Sequence, residues 1–223
     1  MKIKLLSVVL GALLVSACSS TQVGIWDDRE ELLNDLAQRC EAHTSGYQQY
    51  SPTFDQASQA LLAVTRRQCA AAGEYRTIRE NHKDVEQFFA AHAALGLSNE
   101  EIAEQLIDNE EMAKKFAQYQ QAQDAIFEQN MELAIELGLV TAETTLLFAE
   151  NMTTIAKIEV IKRIQGELDP EGDTLPLTLE QMQTRLSIVN EGQSLINAEK
   201  SFLDDMKAAD KALQERISIA EGA

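Results

Sequence analysis

Apolar residues recur three and four positions apart along most of this chain, which is the period of amphipathic helices. Leu32, Leu33, Leu36, Ala37 and Cys40 share one face, and Asp27 or Asp28 is placed to cap the helix that carries them. His43 to Thr53, with Gly46 and Ser51-Pro52, reads as a loop. A second helix carries Phe54, Ala57, Leu61, Thr65 and Cys69. It is expected to run past Gly73 into a stretch marked by Tyr75, Ile78, His82, Val85, Phe89 and His92, which Gly96 ends. Ser98-Asn-Glu-Glu101 has the spacing of a capping box, a hydroxyl for the N3 amide and a carboxylate reaching back. It opens a helix through Ile102, Leu106, Phe116, Ile126, Leu133 and Leu137, with Gly138 as the expected stop. Within it Gln118 to Asp124 is polar almost all round and is expected at the surface.

Thr141 is the expected start of the most apolar helix beyond the first twenty residues, running to Leu168. Its apolar residues cover more than one face, so Ile155, Ile158 or both, with Ile161, are expected in the core against at least two other helices. A loop from about Gly166 to Pro176 leads to a second capping-box spacing at Thr178 and Gln181. The last helix carries Leu179, Met182, Leu186, Val189 and Ile196, then Leu203, Met206, Leu213 and Ile217 in a shifted phase. Gln193, Glu199 and Asp210 interrupt that stripe, which weakens a coiled-coil reading and favours a packing helix. No strand alternation and no fixed repeat is visible. The fold class expected is all-α, a multi-helix bundle or an elongated coiled-coil-like helical body. Three prolines, ten glycines and few aromatics also argue against a sandwich or barrel.

The first twenty residues follow a different pattern. Lys2 and Lys4 precede an apolar run from Leu5 to Val15 broken by Ser7, and small residues then lead to Cys18-Ser19-Ser20. That is the layout of a secretory signal peptide. The run is too short to cross about 30 Å of hydrocarbon as a helix. Its ending, Leu14-Val15-Ser16-Ala17-Cys18, resembles the lipobox of bacterial lipoproteins. The resemblance implies cleavage before Cys18 and several acyl chains, palmitate among them, on that cysteine. One chain gives only marginal membrane binding, whereas several make attachment effectively permanent. Ser19 stands where an Asp favours inner-membrane retention in Gram-negative lipoproteins, so the resemblance implies the outer membrane. The expected organisation is a lipoprotein signal peptide over 1–17, a lipidated cysteine and tether over 18–26, and one helical domain over 27–223.

Charge narrows the partners. The chain holds 19 Lys and Arg against 36 Asp and Glu. Removing Lys2 and Lys4 with the signal peptide leaves 17 against 36, or −19. A body this acidic excludes nucleic acid as a partner, because phosphate recognition needs cationic clusters. It is also repelled by anionic lipid surfaces.

Cys40 and Cys69 are the sharpest candidate pair, since an oxidising periplasm invites a disulfide between them. The geometry raises a difficulty. Cys40 lies close to the first loop, while Cys69 lies roughly 22 Å along the second helix from Phe54. A tight hairpin would keep them apart, so either the loop runs back along the helix or the helix starts late. His43 near Cys40 and Cys69 raises a metal cluster but lacks a fourth ligand. His82 and His92, on the apolar stripe of their helix, read as satisfied core or boundary residues, with proton sensing near neutral pH as the alternative. Asp169, Glu171, Asp173 and Glu180 occupy positions 1, 3, 5 and 12 of a calcium-loop spacing. Thr174 stands where that loop needs glycine and Pro176 lacks an amide, so no metal is favoured and no cofactor is expected. No nucleophile elbow, phosphate loop or zincin helix is present. The expected function is therefore non-enzymatic: an envelope lipoprotein acting as a protein-interaction or assembly factor at the outer membrane. The membrane is engaged through the lipid and a protein partner through helix faces. The alternative is a periplasmic ligand-binding module using a groove between helices.

Overall fold

A computed structural model describes residues 29–165 and 174–221. The lipobox with Cys18, the capping residues Asp27 and Asp28, and the calcium-loop candidates Asp169, Glu171 and Asp173 lie outside these residues. Six helices follow in order: α1 (Arg29–His43), α2 (Pro52–Asn81), α3 (Lys83–Ala94), α4 (Asn99–Ile107), α5 (Glu110–Gln165) and α6 (Thr174–Glu221). No strand occurs among the described residues, and the body is all-α.

Four helices form the frame. Gln68 of α2 meets Asn130 of α5, and Arg67 pairs with Glu136. Asn130 meets Asn197 of α6, and Tyr119 meets Glu199. α5 therefore runs antiparallel to both α2 and α6. Arg29 meets Glu199 and Arg39 meets Glu191, so α1 is antiparallel to α6 as well. The core is filled from all four helices by Leu36, Leu61, Val64, Leu133, Ile188 and Ile196, among others. α3 docks through Phe89, whose ring lies 4.8 Å from Phe116 and 5.1 Å from Phe202.

Helix boundaries follow local chemistry, and several differ from the sequence expectation. The stretch after Gly73 is not one helix to Gly96. It breaks at His82, whose amide bonds back to Ile78 and Arg79. Gly96, with φ of 77°, closes α3 in the left-handed region that glycine enters freely. The capping box at Ser98 and Glu101 is formed on both sides. The helix it opens stops at Ile107 rather than running on. Asn109 then caps α5, its Oδ1 accepting the Met112 amide at 3.1 Å. Gly138 does not stop a helix, and Thr141 does not start one. α5 is continuous, because Leu133, Leu137, Val140 and Thr144 are buried across that point. Their packing outweighs the roughly 1 kcal/mol that glycine costs in a helix interior. α6 begins at Thr174, with Pro176 tolerated in the first turn, so Thr178 is not a cap. It lies buried a turn inside, donating to the Gln48 carbonyl at 3.3 Å.

Cys40 and Cys69 are joined, with alpha carbons 5.8 Å apart. The chain between α1 and α2 makes this possible by running back along α2. Thr44 accepts from Arg66, Tyr47 from Gln59, and the Tyr50 amide donates to Asp55 at 2.8 Å. From Thr44 to Tyr50 an extended chain spans about 20 Å. From Arg66 to Asp55 the helix rises about 16 Å. The strap thus descends α2 from Arg66 to Asp55 and lets α1 lie beside the C-terminal half of α2. α6 holds its other side, where Arg185 donates to the carbonyls of His43 and Gly46 and Gln181 accepts from Gln48.

Protein isolated without reductant is expected to yield a Cys40–Cys69 linked peptide in non-reducing mapping. Replacing both with Ser is expected to cost about 2 to 4 kcal/mol in chemical denaturation. Two freely alkylated thiols would contradict the bond.

Candidate functional site

Three features hold chemistry or surface beyond ordinary packing: a buried charge cluster, an open groove and an exposed apolar stripe.

The cluster is built on Glu199, which is 3% exposed. Its Oε2 accepts from Arg29 Nη1 at 2.9 Å, Arg79 Nη1 at 2.7 Å and the Tyr75 hydroxyl at 3.0 Å. Its Oε1 accepts from the Tyr119 hydroxyl at 2.8 Å. Four helices converge on one carboxylate: Arg29 from α1, Tyr75 and Arg79 from α2, Tyr119 from α5 and Glu199 itself from α6. The other arm of Arg79 pairs with Glu86 of α3, so two guanidinium and two carboxylate groups balance formally. Burial, and then the charge of Glu199, pushes the phenols of Tyr75 and Tyr119 well above their usual range. Both therefore stay protonated donors. All five side chains, Glu199 and its four partners Arg29, Arg79, Tyr75 and Tyr119, are buried.

The expected surface position of Gln118 to Asp124 holds for Gln118, Gln121 and Asp124 but not for the whole stretch. Tyr119 and Gln123, four apart, are both buried, at 2% and 0% exposure. Tyr119 turns inward because its hydroxyl donates to Glu199. A second polar layer lies below: Gln68 donates to Asn130 at 3.1 Å, and Asn130 to Asn197 at 2.9 Å. Gly192 permits the approach of α6 at this level, since a Cβ there would stand 2.9 Å from Gln68 Nε2.

The open groove, of about 330 Å³, lies between α4, α5 and α6, floored by Leu106, Phe116 and Met206 with Lys207 and Asp210 at its edge. The apolar stripe runs along the outer face of α5. Met131, Ile135, Leu139 and Leu146 are each more than 60% exposed, with Gly138 and Ala142 open between them. The side chains from Leu147 to Gln165 of the same helix are not described, so the expected core roles of Ile155, Ile158 and Ile161 fall outside the described side chains.

The remaining candidates are scattered. His43 has no metal partner in Cys40 and Cys69, whose sulfurs are bonded to each other. His82 packs against Tyr119 at 5.5 Å, and the His92 ring bonds the Phe88 carbonyl. Glu180 is exposed on α6. Among the described residues, no group of three or more His, Cys, Asp or Glu could hold an ion, and no helix is long and apolar enough to cross a membrane. Comparison with protein-family models, with characterised proteins and with solved structures found no match to this chain.

Glu199→Gln keeps the shape but leaves Arg29 and Arg79 short of a buried countercharge. It is expected to cost about 3 to 5 kcal/mol in urea denaturation. A loss below half that would show that the cluster is not the tie between helices.

The phenols set an alkaline limit. The folded chain holds these two protons to higher pH than the unfolded chain. Their contribution is complete below about pH 10 and falls away as pH rises above it. Stability followed by urea midpoint should decline over that range, and the Tyr75→Phe/Tyr119→Phe double variant should show a shallower decline.

Proposed function

We propose that this chain is a lipid-anchored protein of the Gram-negative envelope, with Cys18 carrying the lipid and the helical body serving as a protein-interaction or assembly factor at the outer membrane. The anchor is supported by the basic start, apolar run and Leu14-Val15-Ser16-Ala17-Cys18 ending. The interaction role is carried by one observation, the stripe of Met131, Ile135, Leu139 and Leu146 on α5. Single exposed apolar residues are ordinary on protein surfaces, but a contiguous row along one helix face marks a site of association. A second reading, ligand binding in the groove by Leu106 and Met206, has the groove itself in its favour. None of its polar lining residues, Gln120, Lys207, Asp210 and Gln214, is buried, whereas a specific small-molecule site converges a few buried polar groups. The interaction reading is therefore preferred, with no catalytic role and no cofactor.

Cys18→Ser is expected to abolish incorporation of a fatty-acid analogue and to shift the protein out of the membrane fraction. Equal labelling of the variant and the parent would overturn the anchor.

A further inference from the structure

The stripe on α5 belongs to a helix face whose charge is one-sided. At about 100° per residue, Met131, Ile135, Ala142 and Leu146 fall within a narrow arc, opposite the buried Leu133 and Val140. Glu132, Glu136 and Glu143 line one flank of the arc. Small uncharged residues, Ala134, Thr141 and Thr145, line the other. No Lys, Arg or His occurs between Lys115 and Lys157, a span holding six acids. Arg67 of α2 pairs with Glu136 and reaches Glu132 at 3.9 Å, but among the described residues no cation meets Glu128 or Glu143. The face is thus apolar along its centre, acidic on one edge and lined by small uncharged residues on the other.

We propose that this face docks a cationic amphipathic helix of about four turns, the length that matches the roughly 22 Å from Met131 to Leu146. The proposal rests on the interaction reading above and names the chemistry of its partner. The partner's apolar side chains would cover Ile135 and Leu139, and its Lys or Arg residues would lie along the glutamate edge. A second copy of the chain is a poor occupant, because it brings the same acidic edge and a formal charge of −17 or below. An anionic bilayer is disfavoured for the same reason.

The test uses the mature lipidated protein in phosphatidylcholine nanodiscs and two labelled peptides of about 18 residues, an amphipathic Leu/Lys helix and its Leu/Glu twin. Fluorescence anisotropy is read against empty nanodiscs. The Leu/Lys helix is expected to bind and the twin is not. Ile135→Glu should weaken binding by about tenfold or more. This variant separates docking from bulk attraction, because an added acid would strengthen a purely electrostatic association with a cation. Leu95→Glu, at the exposed end of α3, serves as the matched control and should leave binding unchanged. The Glu132→Lys/Glu143→Lys pair should move preference toward the Leu/Glu twin. Far-ultraviolet circular dichroism confirms that each variant is folded. Undiminished binding by Ile135→Glu, or equal binding of both peptides, overturns the proposal. Self-association in sedimentation that Ile135→Glu abolishes would also overturn it, by giving the face to a second copy. Failure of Cys18→Ser to lose its lipid label would remove the anchor and leave the peptide result standing. Intact lipidation with binding indifferent to Ile135 would remove only the partner assigned here.

Discussion

One buried carboxylate organises this body. Glu199 is out of contact with water, and an ionised group there is tolerable only when paired and hydrogen-bonded on every side. Arg29, Arg79, Tyr75 and Tyr119 meet that demand, and each arrives from a helix whose position is thereby constrained. A shift of any of the four helices by one turn would move its donor about 5 Å and strand the charge. Apolar contacts between helices tolerate sliding far better, because one leucine can replace another in a groove. The cluster therefore determines register, while the surrounding Leu, Ile and Val residues supply the driving force for burial.

α1 shows how strongly the frame depends on such ties. It is short, and an isolated helix of 15 residues is marginal in water. Arg29 fixes its start to Glu199, and the disulfide fixes Cys40 near its end to α2. The strap after it is pinned to α2 at Arg66, Gln59 and Asp55 and to α6 at Gln181 and Arg185. The antiparallel strap resolves the apparent conflict between the distant sequence positions of Cys40 and Cys69. A loop of this length reaches as far as the helix it follows.

Much of the fold was legible because it rests on local signals. The three-and-four spacing from Leu32 to Cys40, the box at Ser98 and Glu101 and the break near Gly96 are each decided by neighbours in sequence. The misread places are those where a distant partner decides. Gly138 and Thr141 have the local look of a helix end and a helix start, yet buried Leu137 and Val140 carry the helix through. Thr178 and Gln181 have the spacing of a box, yet both are taken by Gln48 of the strap. Gln118 to Asp124 reads as exposed because polarity usually means water. Tyr119 instead turns inward to Glu199, and Gln123 one turn on is buried with it. The available signal was Glu199 itself, an acid set among Leu195, Ile196, Leu203 and Met206, which if buried requires cations from elsewhere in the chain. The break at Asp108-Asn109 was also readable, since asparagine followed by two glutamates is a start signal.

The same inward contacts bear on the outer face of α5. Tyr119 and Asn130 lie on the buried side of the helix, while Met131, Ile135 and Leu139 are exposed. Rotating α5 to bury the stripe would withdraw Tyr119 from Glu199 and Asn130 from Gln68. Each such withdrawal leaves a buried polar group without a partner, at about 1 to 3 kcal/mol or more where a charge is involved. Burying a few leucine-sized side chains returns about 1.5 to 3 kcal/mol apiece, but only if a cavity of the right shape awaits them inside. Among the described residues the core is already filled by Leu61, Val64, Ile188 and Ile196. The apolar stripe is thus held outward by the body's own buried polar contacts. The orientation of this face is therefore fixed by the polar contacts beneath it and not by the apolar residues it carries.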